Sequence, residues 1–354
     1  MKNFFVISFA FLFCISCTET EDPVVRYESY VSYNSDYKFL KFENREAYNA
    51  VIEKLKHFSY KELDDWSNKI DFESQKFILY TSHLEDEEHV DIISKLPNEE
   101  LKEYKKDHGI TFSYSKYTLN NLDIIAFDDS SYDLKIDYDP FITFVIGKNG
   151  LVQIGDSIFQ YSENNYKVIM DGDLKKISTL SNVHENTDKI MVFNILRLKM
   201  GSDNLKGRLS FWADESCIGY AGDQRIKGKA IVGIAWTFDA LGQICGCYMG
   251  KPYAYLKAQN EKKNFFGNWQ AKATSEMEIY GNNIDYNFNT FGYSGNNISV
   301  SWSGAGGPDI KEHISYIVYP PANPIPSTIY PPQAVYNMSG NALFYGRGGS
   351  QCSM

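Results

Sequence analysis

Apolar residues recur at helical spacing in the first part of the chain and at alternate positions later. Tyr48, Val51, Ile52 and Leu55 stand at i, i+3, i+4 and i+7, the stripe of an amphipathic helix. "SYKE" (59–62) places a Glu three residues after a Ser. This is a capping box opening a second helix, with Leu63, Trp66 and Ile70 turned inward. A third helical stretch is predicted around His89, Ile92, Ile93 and Leu96. A fourth has Asn98 as N-cap, Glu99 and Glu100 in its first turn, Lys105 and Lys106 in its last, and Gly109 as stop. Ahead of these helices "DYKFLKF" (36–42) reads as a strand.

The period then falls to two. Residues 141–170, "FITFVIGKNGLVQIGDSIFQYSENNYKVIM", read as successive strands broken at "GKNG", "GD" and "ENN", a β-meander. From residue 206 on, "RLSFW", "KGKAIVGIAWTF", "YAYLKAQ", "WQAKATSEMEIYG", "IDYNF", "NISVSW" and "HISYIVY" are strands separated by Gly and Asn turns. The pattern predicts an α+β chain. An α+β domain over 36–170 precedes a linker over 171–205, an antiparallel β-sandwich or barrel over 206–319 and a proline-rich tail over 320–354. Six of the eleven prolines fall in 319–332, an arm expected to wrap its own domain or meet a partner.

The first sixteen residues form an export signal. Lys2 precedes a twelve-residue apolar run broken only by Ser8, which as a helix spans about 18 Å, short of a bilayer core of about 30 Å. Ser16 is the small residue that signal cleavage needs before Cys17. Cys14 follows bulky Phe13 and fits less well. Small residue, Cys, then the acidic stretch "TETED" (18–22) resembles a bacterial lipobox, although Cys14 stands where Leu is usual. The resemblance implies lipid on Cys17, an acidic tether over 17–35, and an address at the outer membrane, on the cell surface. Two or three acyl chains hold a protein stably on a membrane, where one does not.

Charge divides the chain in the same place as the period. Residues 17–200 carry 22 basic against 34 acidic residues, and residues 201–354 carry 12 against 11. Neither half has the basic patch that nucleic-acid binding requires. Beyond Cys17 the mature chain holds Cys217, Cys245, Cys247 and Cys352. Export permits disulfides, and the four pair in three ways. Direct pairing within "CGC" would be strained, so Cys245 and Cys247 are expected to take the distant Cys217 and Cys352 as partners. A four-thiolate zinc site lacks the C-x-x-C knuckles usual for structural zinc.

"LKFENREAYNAVIEKLKHFSYKELDDWSNKIDFES" (40–74) resembles a stretch recurring in uncharacterised exported lipoproteins of Bacteroidetes. There an L-x-F strand leads into two helices, with a Trp in the second. "GKNGLVQIGDSIFQY" (147–161) is similar to the hairpin that follows in them. The resemblance spans about 36–170. It implies a domain of unknown function, origin and location, and it brings no activity and no site residues.

Three stretches hold residue types that carry chemistry elsewhere. In "HLEDEEHVD" (83–91) the two histidines are six apart, so on a helix they diverge by about 240°, unlike the i, i+4 pair of a zincin. "SGAGGPDIKEH" (303–313) is Gly-rich but leads into a strand, which argues against a phosphate cradle. With Trp302 before it, it remains the candidate ligand loop, carried by Trp302, Gly304, Gly306, Gly307 and Asp309. Trp236, Trp269 and Trp302 would suit sugar stacking, but alternating strands would bury each. No catalytic, cofactor or metal residues are assigned. The expected function is a surface-anchored, non-enzymatic module binding a glycan, a peptide or an envelope protein. The alternatives are a hydrolase of polysaccharide or peptidoglycan and an adhesive, pilus-type subunit.

Overall fold

Five α-helices and nineteen strands are placed in a computed structural model. It describes residues 31–55, 58–108, 113–128, 131–136, 139, 141–194, 197–199, 212–237, 248–288, 293–307, 310–318, 325–327 and 336–354. The leader and residues 17–30 of the expected tether, with Cys17, lie outside the described residues, as do Cys245, Cys247, Asp309 and most of the proline arm; the last residues of that tether, Val31–Asn34, form a strand.

The helices are α1 (Arg45–Leu55), α2 (Tyr60–Ile70), α3 (Gln75–Ser94), α4 (Asn98–His108) and the single turn α5 (Lys116–Leu119). The first three start where a side chain supplies an acceptor. Asn44 takes the Ala47 amide at 2.8 Å. The Ser59–Glu62 capping box closes on both sides, at 2.7 and 3.4 Å. Ser74 takes the Phe77 amide at 3.1 Å. Helix α3 begins well before the stretch predicted around His89. Residues 75–79 are buried on every side, so no polar face marks them as helical.

A first sheet runs β1 (Val31–Asn34), β2 (Phe39–Phe42), β5 (Leu151–Ile154), β6 (Ser157–Tyr161), β7 (Asn165–Ile169), β8 (Ile190–Asn194). It is antiparallel except for β2 on β5. The expected meander is β5–β6–β7, but residues 142–144 form a 3-10 turn where a strand was predicted. Asp139 starts that turn by accepting from the Phe141 and Ile142 amides at 3.0 and 3.1 Å. An apolar run buried throughout gives no period by which to tell turn from strand. Within the expected linker, residues 174–182 form 3-10 turns and β8 closes the sheet edge.

A second sheet runs β13 (Trp269–Ala271), β12 (Tyr248–Lys263), β11 (Gln224–Thr237), β10 (Trp212–Ala221), β9 (Arg197–Lys199). Strands β16 (Glu312–Val318) and β17 (Ile325–Ser327) add to β12. A third runs β15 (Tyr293–Ser303), β14 (Glu278–Phe288), β18 (Tyr336–Tyr345), β19 (Gln351–Ser353). The 320–354 segment, read as a tail, thus supplies β17, β18 and β19. A hairpin, β3 (Ile125–Asp128) with β4 (Ser131–Leu134), stands apart. Among the described residues none of the sheets closes on itself, so the architecture is α+β with open, largely antiparallel sheets.

Strand alternation divides the second sheet into two faces. Arg225, Lys227, Lys229, Tyr255, Lys257 and Glu261 point to the helices and the β3–β4 hairpin. Ile226, Ala230, Leu256 and Ala258 point to the third sheet, where they meet Ile279, Ile284, Ala342 and Phe344 in one apolar cluster. The helix-side face shares a core with the first half of the chain, in which Ile231, Tyr253 and Tyr255 pack among Tyr48, Trp66, Phe144 and Phe159.

Candidate functional site

A concave feature opens between the second and third sheets. Its floor is apolar, made by Ala230, Leu256, Ile284, Ile317 and the thioethers of Met338 and Met354. Its rim is polar, made by Glu215, Ser339 and Asn341. The opening is shallow, with an enclosed volume of about 50 Å³, well below the range for small-molecule sites.

Two local features make this opening. Between β14 and β18 the register passes from Asn282↔Asn341 to Asp285↔Ser339, so Asn283 and Ile284 oppose Gly340 alone. This is a β-bulge, a device common beside functional sites. Gly340 sits at φ 146, and a Cβ there would lie 2.9 Å from Ile284 Cα, so only glycine fits. The second feature is the pairing of β19 along the far edge of β18. It pairs with Leu343–Tyr345, and one further backbone pair joins Met354 to Ala342 at 2.9 and 3.0 Å. Among the described residues no strand lies beside 336–341 on the side away from β14.

The opposite face of the second sheet carries a buried charged seam. Cross-strand register sets Lys229 directly against Lys257, a pairing that is unfavourable unless neutralised. Asp133 from the hairpin and Glu312 from β16 supply the neutralisation. Lys257 Nζ lies 2.9 Å from Asp133 and 3.1 Å from Glu312. Lys76 of α3 pairs with the other oxygen of Glu312, which Tyr80 also approaches at 3.4 Å. Burial alone would raise the Glu312 carboxyl, but Lys257 and Lys76 outweigh it and hold it at about 2. Asp133 is likewise held far below the usual range by Lys257 and Lys229, against its burial. A second buried pair, Arg225 with Glu261, is covered by Trp269, whose ring lies 4.6 Å from the guanidinium. These carboxylates are committed to lysine, arginine and tyrosine partners from three separate elements. The seam therefore joins layers, and the open cleft is the stronger site for a ligand.

The candidate loop does not form a hairpin. It carries the chain from β15 in the third sheet to β16 in the second, with Gly304 and Gly307 in a tight turn. Trp302 stacks on His313, with ring centroids 3.6 Å apart. Burial depresses His313 to about 4, against the upward pull of Glu312. Gly306 and Gly307 are exposed, and the loop lines no part of the cleft. Trp269 is buried, with Arg225 over its ring, and Trp302 packs partly into the inter-sheet core. In "HLEDEEHVD" the histidines diverge as the helical spacing required. His83 stacks on Tyr132 at 4.7 Å, while His89 faces Tyr104 of α4 at 6.3 Å. Among the described residues no three His, Cys, Asp or Glu side chains gather as metal ligands.

The cysteines correct the expected pairing. Cys217 and Cys352 bond to each other, with Cα atoms 5.8 Å apart, instead of to Cys245 and Cys247. Spacing along the chain carried no sign that β10 and β19 would meet. They come together because a Cβ at Gly219 would fall 1.8 Å from the Gln351 carbonyl oxygen, an approach open only to glycine. Sequence reasoning also passed over Glu215 and the cleft strand β18. The alternation of Met338, Gly340, Ala342 and Phe344 was present but hidden behind a proline-rich stretch.

No protein-family model matches the chain, and no curated protein matches it. Among solved structures, a DUF4848 family protein from Bacteroides thetaiotaomicron is similar at 14% identity and a TM-score of 0.29. The alignment covers 91% of this chain and 98% of that one. A likeness at that score supports no inference about activity. No helix among the described residues is long and apolar enough to cross a membrane.

Proposed function

We propose that this chain is an exported protein held at the cell surface by lipid on Cys17, and that it is a non-enzymatic binding module. Its ligand sits in the cleft between two sheets packed as a sandwich. One observation carries the reading: an apolar concavity with a few polar groups at its mouth, opened by a bulge that only Gly340 permits. The lipobox resemblance and the acidic stretch behind Cys17 support the location.

Two measurements on the full chain test this. Cys17→Ala should move the protein from the membrane fraction to the soluble fraction, and retention in the membrane would refute the anchor. The released Cys17→Ala chain, applied to glycan and peptide arrays, should give ligands whose binding is lost when Ala230→Met fills the cleft floor. Turnover of a polysaccharide panel without retained binding would replace the module with an enzyme.

A further inference from the structure

Two hairpins of the second sheet turn at the same end, where the Lys263 amide donates to the Asp223 carbonyl at 2.7 Å. The β10–β11 turn follows Tyr220, and the β12–β13 turn carries Phe265 and Phe266. Tyr220 and Phe265 are 60% and 63% exposed, the highest values for large hydrophobic side chains among the described residues. Singly exposed rings are common, but two on adjoining turns mark an interaction surface. The structure holds both in place. Tyr220 rests on Trp269 at 5.6 Å, Trp269 on the Arg225 guanidinium at 4.6 Å, and Arg225 on Glu261, which is buried with it. The Asn264 side-chain oxygen accepts the Phe266 and Asn268 amides at 3.0 Å each, and Gly267 supplies φ 91, so Phe265 stands on a turn of fixed shape.

The chemistry of the tips selects the partner. Turn tips are convex and give a small ligand nothing to enter. The Asn264 acceptor is committed to its own turn, away from any sugar hydroxyl. Asp223 is matched by Lys262 at 3.5 Å and Glu261 by Arg225, so Lys263 leaves these turns one positive charge in excess. The Lys263 ammonium lies 5.8 Å from the Trp269 ring, and that of Lys105 on α4 lies 5.6 Å from the Phe266 ring. Long lysine stems beside rings let the rings sink into an apolar layer while the ammonium stays at its polar boundary. Tyrosine suits that boundary, and phenylalanine the layer beneath it. We propose that the two turns form a membrane contact, in which Phe265 enters a lipid surface, Tyr220 lies among the headgroups, and Lys263 and Lys105 meet lipid phosphates. Two rings bury less apolar surface than one acyl chain, which by itself binds only marginally. The contact therefore does not anchor the chain. It sets which way a chain already held at a membrane faces, where the tether makes the second contact intramolecular.

The test uses the full Cys17→Ala chain, which carries no lipid, with vesicles of phosphatidylcholine alone or with an equal part of phosphatidylglycerol. In vesicle excess the chain is expected to co-sediment, more strongly where phosphatidylglycerol is present. Phe265→Ser should lower the partition coefficient about tenfold, the effect of keeping one such ring in water. Phe265→Trp should retain binding, with the added indole emission shifted to the blue by vesicles. Both changes replace an exposed side chain, so urea midpoints should stay in place. Lys263→Gln should weaken binding to the phosphatidylglycerol vesicles and leave phosphatidylcholine binding unchanged. Absence of co-sedimentation would overturn the proposal. So would co-sedimentation that Phe265→Ser leaves intact, since another part of the chain would then carry it. A glycan-array signal abolished by Phe265→Ser, without vesicle binding, would make the tips a sugar platform instead.

Discussion

Replacing Glu312 with Gln keeps the volume of the side chain and removes the charge on which the seam depends. The cost follows from the surroundings. Lys257 retains Asp133 at 2.9 Å, but Lys76, with a side chain only 8% exposed, loses its anionic partner and keeps the faces of Tyr80 and Phe144, 4.9 and 6.0 Å from its ammonium. Such a contact is worth about 0.5–2 kcal/mol, whereas breaking a buried pair from one side costs about 3–5 kcal/mol. The carboxyl itself gives a second route to the magnitude. Its descent from 4.5 to about 2 corresponds to about 3 kcal/mol at about 1.36 kcal/mol per pH unit. Both routes place the loss at about 3 kcal/mol, or roughly 6 °C in Tm at about 2 °C per kcal/mol for a chain of this size. The assay is urea unfolding at pH 7 followed by circular dichroism. Adding Lys76→Met should recover about 2 kcal/mol, because the stranded cation goes with it. The sign with pH is fixed. A depressed carboxyl stabilises the fold above its unfolded value of 4.5, and that contribution is lost as pH falls toward about 2. Glu312→Gln should therefore erase this part of the acid profile. A single-variant loss below about 1 kcal/mol, with no recovery in the double variant, would show the seam to be hydrated and the reasoning wrong.

Two further outcomes follow from the same structure. His83, driven down to about 3 by burial and then by Lys311, and His313, driven down to about 4, stay neutral in the fold. The unfolded chain takes up their protons first, so stability should fall as pH drops from 6.5 toward 4.5, by about 1.4 kcal/mol per pH unit for each histidine. His83→Phe removes a buried Nδ1 that has no hydrogen-bond partner and should halve that slope, and an unchanged slope in urea midpoints across this range would refute the assignment. The Cys217–Cys352 bridge spans 135 residues, so Cys352→Ser should cost about 2–5 kcal/mol. Non-reducing peptide mapping that linked Cys217 to Cys245 or Cys247 would overturn the pairing.

Features set by neighbours in the chain were legible, and those set by distant pairing were not. The capping box at Ser59 and the stripe through Tyr48, Val51, Ile52 and Leu55 depend on residues within two turns, and both form as predicted. Helix α3 was legible only toward its exposed end, because burial all round its first turns removes the polar face that marks a helix. Residues 141–146 failed for the related reason that an unbroken apolar run has no period. The cleft depends on one fact of register, two residues of β14 against Gly340, and the disulfide on another, Gly219 against Gln351. Each is a relation between segments far apart in sequence, and one sequence holds no record of it. The glycine loop drew attention because its composition is local and conspicuous, yet Trp302 and His313 satisfy each other there.

The alternation that hid the cleft also explains why a site there would be well supported. Lys229, Lys257 and Glu261 lock one face of the second sheet to the helices and the hairpin. Ala230, Leu256 and Ile317 form the floor on its other face. A floor whose reverse side is held by buried ion pairs is positioned before any ligand arrives. The rim differs. Ser339, Gly340 and Asn341 are exposed, and on their outer side they have no neighbouring strand among the described residues.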